Sequence, residues 1–450
     1  MSEENINYVN FSLTESSLNL IPDSVIDEAP EFSTDIEFSN IQDKNCICQC
    51  YLRFLMGNKL PSIFNISSSS ISILFFLLPL VIIYNKIIFS FLEIILIGFF
   101  SFYTMNLLLE QMSKKKDQSY YKFVYNNVGK TTSYIYEVFN FIYKFSNLII
   151  LQHFSILFFK NIIIFKKIIN DKDLYSKITL FGVCLVIQFI FSYEYFTIFL
   201  PLKYLNSITI IITQFILLFK LIIQSKSKYT IEWIKKEEFN NEIWIYIQIL
   251  IIIFNNHNDI YLHFNRFYTK TFKRVNILIN WSWIIIIVEM MTFMIILYLY
   301  TEAFNIKLVF NNPIEYLLSE NKNDVFYYVF AILVIIFSIN IQVLISESVY
   351  KIKEEIKIIF HQKIMMTSTN ILITFFFLVL TNLISFIIYK IKLFIGICCG
   401  ITCFTAYFFP AFSHLIVFEP NIIKKILNIL TMIIFPILGI MMIFYSFYYL

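Results

Sequence analysis

Five polar side chains stand in a row within an otherwise apolar stretch: Asn255, Asn256, His257, Asn258 and Asp259, in "IIIFNNHNDIYLHF". Asn and Asp side chains compete with the backbone for its own hydrogen bonds, so this density favours an interrupted helix. Inside a bilayer, irregular backbone survives only where it is buried in protein or lines a watery cavity. A helix broken at that depth can turn one new end toward a carboxylate and freed carbonyls toward a cation, as secondary transporters do. The other reading of the same residues is a plain loop at the end of a helix. Glu289, in "WIIIIVEMMTFMII", has no polar neighbour in sequence. It either carries a proton or is a structural carboxyl bonded to a neighbouring helix. Glu137 and Lys144 fall on one helix face and read as span-end residues reaching for water. Glu93 and His153 suggest nothing sharper. No Ser/His/Asp or Cys/His arrangement falls where a hydrolase needs it, and there is no P-loop, so neither enzymatic catalysis nor a catalytic residue is expected.

The elements that must position these residues follow from composition. Of 450 residues, 58% are hydrophobic, 19% aromatic and 15% charged, with a mean hydropathy of +0.71. A soluble domain could not cover that apolar surface with so few charges. Runs such as "SISILFFLLPLVIIY" and "NILITFFFLVLTNLISFIIY" approach or exceed the roughly 20 residues a helix needs to cross a bilayer core. The chain reads as an all-α polytopic membrane protein of about eleven transmembrane helices. The spans fall at about 64–84, 87–112, 132–159, 176–199, 202–224, 243–264, 276–300, 323–346, 364–389, 392–418 and 422–449.

Residues 1–62 form an acidic, mostly disordered tail that is a candidate contact surface for a protein partner, and residues 63–450 the membrane domain. No basic start followed by a short apolar core and cleavage site is seen. All three arginines, Arg53, Arg266 and Arg274, fall on the inner side if the N-terminus is cytosolic, which is the expected orientation. Such a chain suits a plasma, vacuolar or endolysosomal membrane. The tail cysteines of "CICQC" lack a second pair or a His at zinc spacing, so no metal site is expected, and their place beside the membrane suits S-palmitoylation. Cys184, Cys398, Cys399 and Cys403 read as packing residues. The few glycines and many Phe, Ile, Asn and Lys residues fit AT-rich coding, and a net charge of +4 suggests no nucleic-acid partner.

Beyond single residues, the order of features resembles the amino acid/auxin permease family over about residues 64–450. The best-matched segment runs from "FLEIILIGFFSFYTMNLLLEQ" through the polar "SYYKFVYNNVGK" into the third span. "SYEYFTIFLPLKYLNSITII", "FNNHNDIYLHFNRF" and "IGICCGITCFTAYFFPAFSHLIVFEP" are similar to the family's later landmarks, in order and spacing. The resemblance implies two inverted five-helix repeats, as in the amino acid–polyamine–organocation fold, plus an eleventh helix. It also implies breaks in spans one and six, with Phe254, Asn255, Asn256 and His257 beside the substrate. In span one the family carries Gly-x-Gly-x-Leu-x-x-Pro. Counting back from Pro79, Ser72 and Leu74 take the glycine positions. Glycine lets backbone approach a ligand, and leucine does not. Ser338 matches the family's cation-contacting Thr, whereas Asn340 replaces a nearby Pro.

The expected function is secondary active transport of amino acids, neutral or otherwise small, by alternating access across the lipid bilayer. No cofactor is expected beyond a coupling ion, H+ or Na+: Glu289 and His257 favour protons, and Ser338 keeps sodium open. The rival expectation, supported by the lost glycines, is a non-transporting amino acid sensor that retains the transporter fold and signals through its tail.

Overall fold

The computed structural model describes residues 63, 87–115, 119–161, 174–193, 202–224, 243–255, 257, 272–304, 325–359, 367–387 and 391–448. The described residues are almost wholly helical. In chain order the helices are α1 Ile87–Lys115, α2 Tyr120–Asn127, α3 Lys130–Asn161, α4 Leu174–Tyr193, α5 Leu202–Gln224, α6 Ile243–Ile253, α7 Phe272–Phe304 and α8 Val325–Ile359. They continue with α9 Thr367–Ile387, α10 Ile391–Thr402, a π-helical turn Cys403–Phe408, α11 Phe409–Val417 and α12 Ile422–Tyr448. Seven stretches are long and apolar enough to cross a membrane, with α10, the π turn and α11 forming one of them; α4, α5 and α6 contribute shorter apolar segments. Ten of the eleven expected spans therefore overlap described helix, the sixth over Ile243–Ile253 alone. The first span, the tail and its cysteines lie outside the described residues.

Helices follow the apolar runs because a backbone in lipid must satisfy every N–H and C=O within its own segment. The π-helical departure inside the 391–417 span has a local cause. Pro410 lacks a backbone N–H, and its ring would crowd the carbonyl of Ala406 four residues back. The π turn occupies that position and relieves it by widening the helix. Just past the π turn, the Pro410 carbonyl accepts a hydrogen bond from Gln111 Nε2 of α1 at 2.8 Å.

Two groups of helices are bound by different chemistry. In the first, α3, α4, α8 and α9 pack together and share a chain of uncharged polar side chains. Gln188 Nε2 donates to Gln152 Oε1 at 2.5 Å, Asn382 Nδ2 to Gln188 Oε1 at 2.5 Å, and Gln342 Nε2 to Ser155 Oγ at 2.9 Å. Interhelical amide bonds of this type replace the hydrophobic drive that lipid cannot supply. In the second group, α1, α6 and α7 are joined through backbone carbonyls. Trp283 Nε1 donates to Gly98 O at 3.0 Å, and the Tyr246 hydroxyl to Ser90 O at 3.0 Å.

The long α10–α11 span lies against α3, α6 and α12. Its contact with α12 is a close backbone approach. A Cβ added at Gly439 would stand 2.8 Å from the carbonyl of Gly400, so neither position accommodates a side chain without displacement. The outer face of α12 is apolar and exposed at Ile422, Ile426, Ile433, Ile437 and Phe444, as suits lipid contact. At one end of the bundle, α2 starts at Ser119, whose side chain accepts from Lys122 N at 3.3 Å. Tyr120 then anchors it, its hydroxyl 2.8 Å from Ser413 Oγ.

Two expectations are corrected. Span eight does not end near 346: the apolar stretch runs Phe326–Lys353 and α8 continues to Ile359, with Glu347 and Lys351 paired one turn apart at 3.1 Å. Glu137 and Lys144 do not reach for water. Both are buried, and Lys144 is ion-paired to Glu355 of α8. A third charge had gone unnoticed: Lys220 is buried on α5, with its ammonium 5.4–5.6 Å from the ring centres of Tyr300, Phe326 and Phe330 and donating to the Tyr300 hydroxyl at 3.1 Å.

Candidate functional site

Helix α6 stops inside the protein. Phe254 N still bonds Leu250 O at 3.0 Å, but Asn255 N tightens to Ile252 O at 3.1 Å and the helix goes no further. The Phe254 carbonyl, released from the helical ladder, is taken by Ser101 Oγ of α1 at 2.7 Å. The Phe254 ring packs on Trp283, with ring centres 5.2 Å apart. It also lies so close to Gly98 that a Cβ there would meet it at 3.3 Å. These contacts fix where the helix ends. Ser101 and Thr104 belong to the middle of α1, and Thr402 and Tyr407 to the middle of the 391–417 span. The end of α6 therefore lies at mid-span depth.

Past the break, two side chains meet the other helices. Asn255 Nδ2 donates to Thr402 Oγ1 at 3.2 Å, and Thr402 in turn donates to Cys398 O at 2.8 Å. His257 Nε2 lies 2.7 Å from Thr104 Oγ1. Thr104 Oγ1 is also 3.1 Å from the carbonyls of Phe100 and Ser101, so its single proton is drawn into its own helix. His257 Nε2 is then the donor to Thr104, a tautomer assigned from this network, and Nδ1 is left as an acceptor. The His257 ring tilts against Tyr407 at 5.7 Å, and Tyr407 stacks face to face on Phe435 of α12 at 3.9 Å.

Three polar atoms here are buried without a hydrogen-bond partner among the described residues: Asn255 Oδ1, His257 Nδ1 and the Tyr407 hydroxyl. Such atoms are costly in a folded interior, and one explanation of their persistence is a partner that comes and goes. Two are acceptors, suited to an ammonium, and the hydroxyl can donate to a carboxylate. The end of α6 adds the negative partial charge of a helix C-terminus. No Asp, Glu, Lys or Arg takes part in the described site. The π turn that presents Tyr407 belongs to a class of helix irregularity often found at functional positions.

Of the residues expected at the substrate, Phe254, Asn255 and His257 surround this break, whereas Asn256, Ser72 and Leu74 lie outside the described residues. The two candidate coupling residues stand elsewhere. Glu289, on α7, is buried with Oε1 unpartnered among the described residues, and its backbone carbonyl faces Gln214 Nε2 of α5 at 3.5 Å. Ser338 is buried on α8 and donates to Val334 O at 2.8 Å. Neither shares a hydrogen bond with the His257 cluster. Sequence reading missed Ser101, Thr104, Thr402 and Tyr407. For Tyr407 a signal was present, since a proline three residues on in an apolar run marks a disturbed helix.

Comparison with known proteins leaves the family open. No family model matches the chain, and no curated protein matches it. Among solved structures, it is similar to a manganese transporter of Eremococcus coleocola, crystallised in complex with an aromatic bis-isothiourea substituted compound. The identity is 12%, the coverage 90% of this chain and 88% of that one, and the TM-score 0.46. At that score and identity, function has to be argued from this chain's own residues, and the permease resemblance rests on the motifs that carry it.

Proposed function

We propose that this chain is a secondary active transporter of neutral amino acids, coupled to H+ or Na+. The observation that carries the reading is the break after Ile253, where Asn255 Oδ1, His257 Nδ1 and the Tyr407 hydroxyl are buried and unpartnered among the described residues at mid-span. A zwitterion fits this chemistry: its ammonium meets the two acceptors and the helix C-terminus, and its carboxylate meets the hydroxyl. A substrate with net charge would find no counter-charge among the described residues of the site. The grouping of α1, α6 and α7 apart from the amide-linked α3, α4, α8 and α9 supports alternating access, one set rocking against the other about the site.

The test is uptake of a mixture of labelled amino acids into proteoliposomes under imposed H+ or Na+ gradients, with wild type compared to His257→Ala and Leu74→Gly. Uptake by wild type, lost in His257→Ala, is the expected result, and the gradient that drives it names the coupling ion. No uptake by wild type, with uptake recovered in Leu74→Gly, would instead favour the sensor reading, the span-one leucine having closed the pocket.

A further inference from the structure

Away from that site, a dense cluster of charged side chains lies on the seam between α3 and α8. Glu137, Asn140 and Lys144 share one face of α3, and Glu355 meets them from α8. All four are buried, Glu137 at 3% exposure. Lys144 Nζ is ion-paired to Glu355 Oε1, and Asn140 Nδ2 donates to the same oxygen at 3.0 Å. Glu137 stands one turn before Asn140, the residue that donates to Glu355, and its Oε1 has no partner among the described residues.

The charges do not balance. Among the described residues two carboxyls face one ammonium, and an uncompensated negative charge is costly in a dry seam. Two adjoining carboxylates also repel, so such pairs hold a proton between them. That proton supplies the O–H that joins two groups which are otherwise both acceptors. We infer that Glu137 and Glu355 form a proton-binding pair, sharing one proton beside the Lys144 ammonium at the α3–α8 seam.

Of the elements packed on these two helices, α10 carries Lys392 and the buried thiols Cys398 and Cys399, and α5 the buried Lys220. On α8, Lys353 donates to Thr374 Oγ1 of α9 at 3.1 Å, and Lys351 pairs with Glu347. From α2, Tyr121 stands near Glu137. Helix α9 carries no ionisable side chain. From α4, Cys184 is a buried thiol, and Cys403 and Tyr407 lie on the π turn beside α3. Glu355 lies two residues past the apolar stretch Phe326–Lys353 of α8. Glu355 is held by the Lys144 ammonium and by Asn140 Nδ2, both of which favour its ionised form, whereas Glu137 Oε1 has no partner among the described residues. Glu355 is thus the ionised partner and Glu137 the proton carrier. Reading this proton as the coupled ion rests on the transporter proposal; the pair's binding of a proton does not.

Infrared titration of the purified full-length protein tests it without any transport. A carboxylic-acid C=O band that disappears as pH rises should be present in wild type and absent in both Glu137→Gln and Glu355→Gln, because either change leaves one carboxylate facing one ammonium. Lys144→Met should carry the band to higher pH, and Glu289→Gln identifies that residue's own band. A wild-type band that survives unchanged in both Gln variants overturns the pair. In proteoliposomes that take up substrate, Glu137→Gln should abolish the response to an imposed pH gradient, and an unaltered response overturns the coupling. Absence of uptake by wild type would sink the transporter proposal, and the infrared result alone would then decide the pair.

Discussion

His257 Nε2 lies 2.7 Å from Thr104 Oγ1, which ties the residue just past the end of α6 to the middle of α1. Within one turn of α1, Ser101 takes the carbonyl of Phe254. Two hydroxyls on one face of α1 thus hold both the end of α6 and the imidazole beyond it.

Thr104→Val keeps the shape and removes the hydroxyl, leaving a buried imidazole N–H without an acceptor. The expected cost is about 1–3 kcal/mol of stability. Thermal unfolding in detergent should show a lower midpoint, and uptake should fall together with it. An unchanged midpoint would mean that His257 does not depend on Thr104.

Tyr407→Phe separates binding from folding. Its hydroxyl has no partner among the described residues, so its removal should leave stability unchanged or raise it by up to about 1–3 kcal/mol. Uptake should nonetheless show a raised KM. Full affinity in the Phe variant would remove Tyr407 from the site.

Gln188→Leu takes out the centre of the amide chain that links α4 to α3 and α9. Membrane interhelical hydrogen bonds average about 0.6 kcal/mol each, so a total loss of about 1–2 kcal/mol is expected. The KM for substrate should not move, since Gln188 makes no contact with the break. A large KM effect at unchanged stability would place the substrate in the amide cluster instead.

Gly439→Ala tests the crossing of α10 and α12. The new methyl would stand 2.8 Å from the Gly400 carbonyl, a backbone atom that cannot swing aside. Overpacking of this kind costs about 1–3 kcal/mol. Gly182→Ala, where an added Cβ meets nothing within 4 Å, is the control. Equal unfolding midpoints for the two variants would show that the helices are not in contact as described.

Much of the fold was legible in the residues because hydropathy is local. A backbone in lipid has to be helical wherever the run is long and apolar, so "NILITFFFLVLTNLISFIIY" specifies α9 with no knowledge of its neighbours. The halt of α6 was legible for a similar reason: Asn255 begins a string of side chains that compete for backbone hydrogen bonds. What faces that halt was not legible. Thr104, Thr402 and Tyr407 lie roughly 150 residues from it in either direction, and their convergence depends on how each helix is rotated about its axis. The same limit explains the error over Glu137 and Lys144. Their spacing puts them on one face of α3, but only packing decides that the face meets Glu355 rather than water. Sequence by itself determined which segments are helices and where one of them ends. Tertiary structure alone decided which polar faces meet, because a helix's own hydrogen bonds do not depend on its rotation, whereas each buried side chain's partner does.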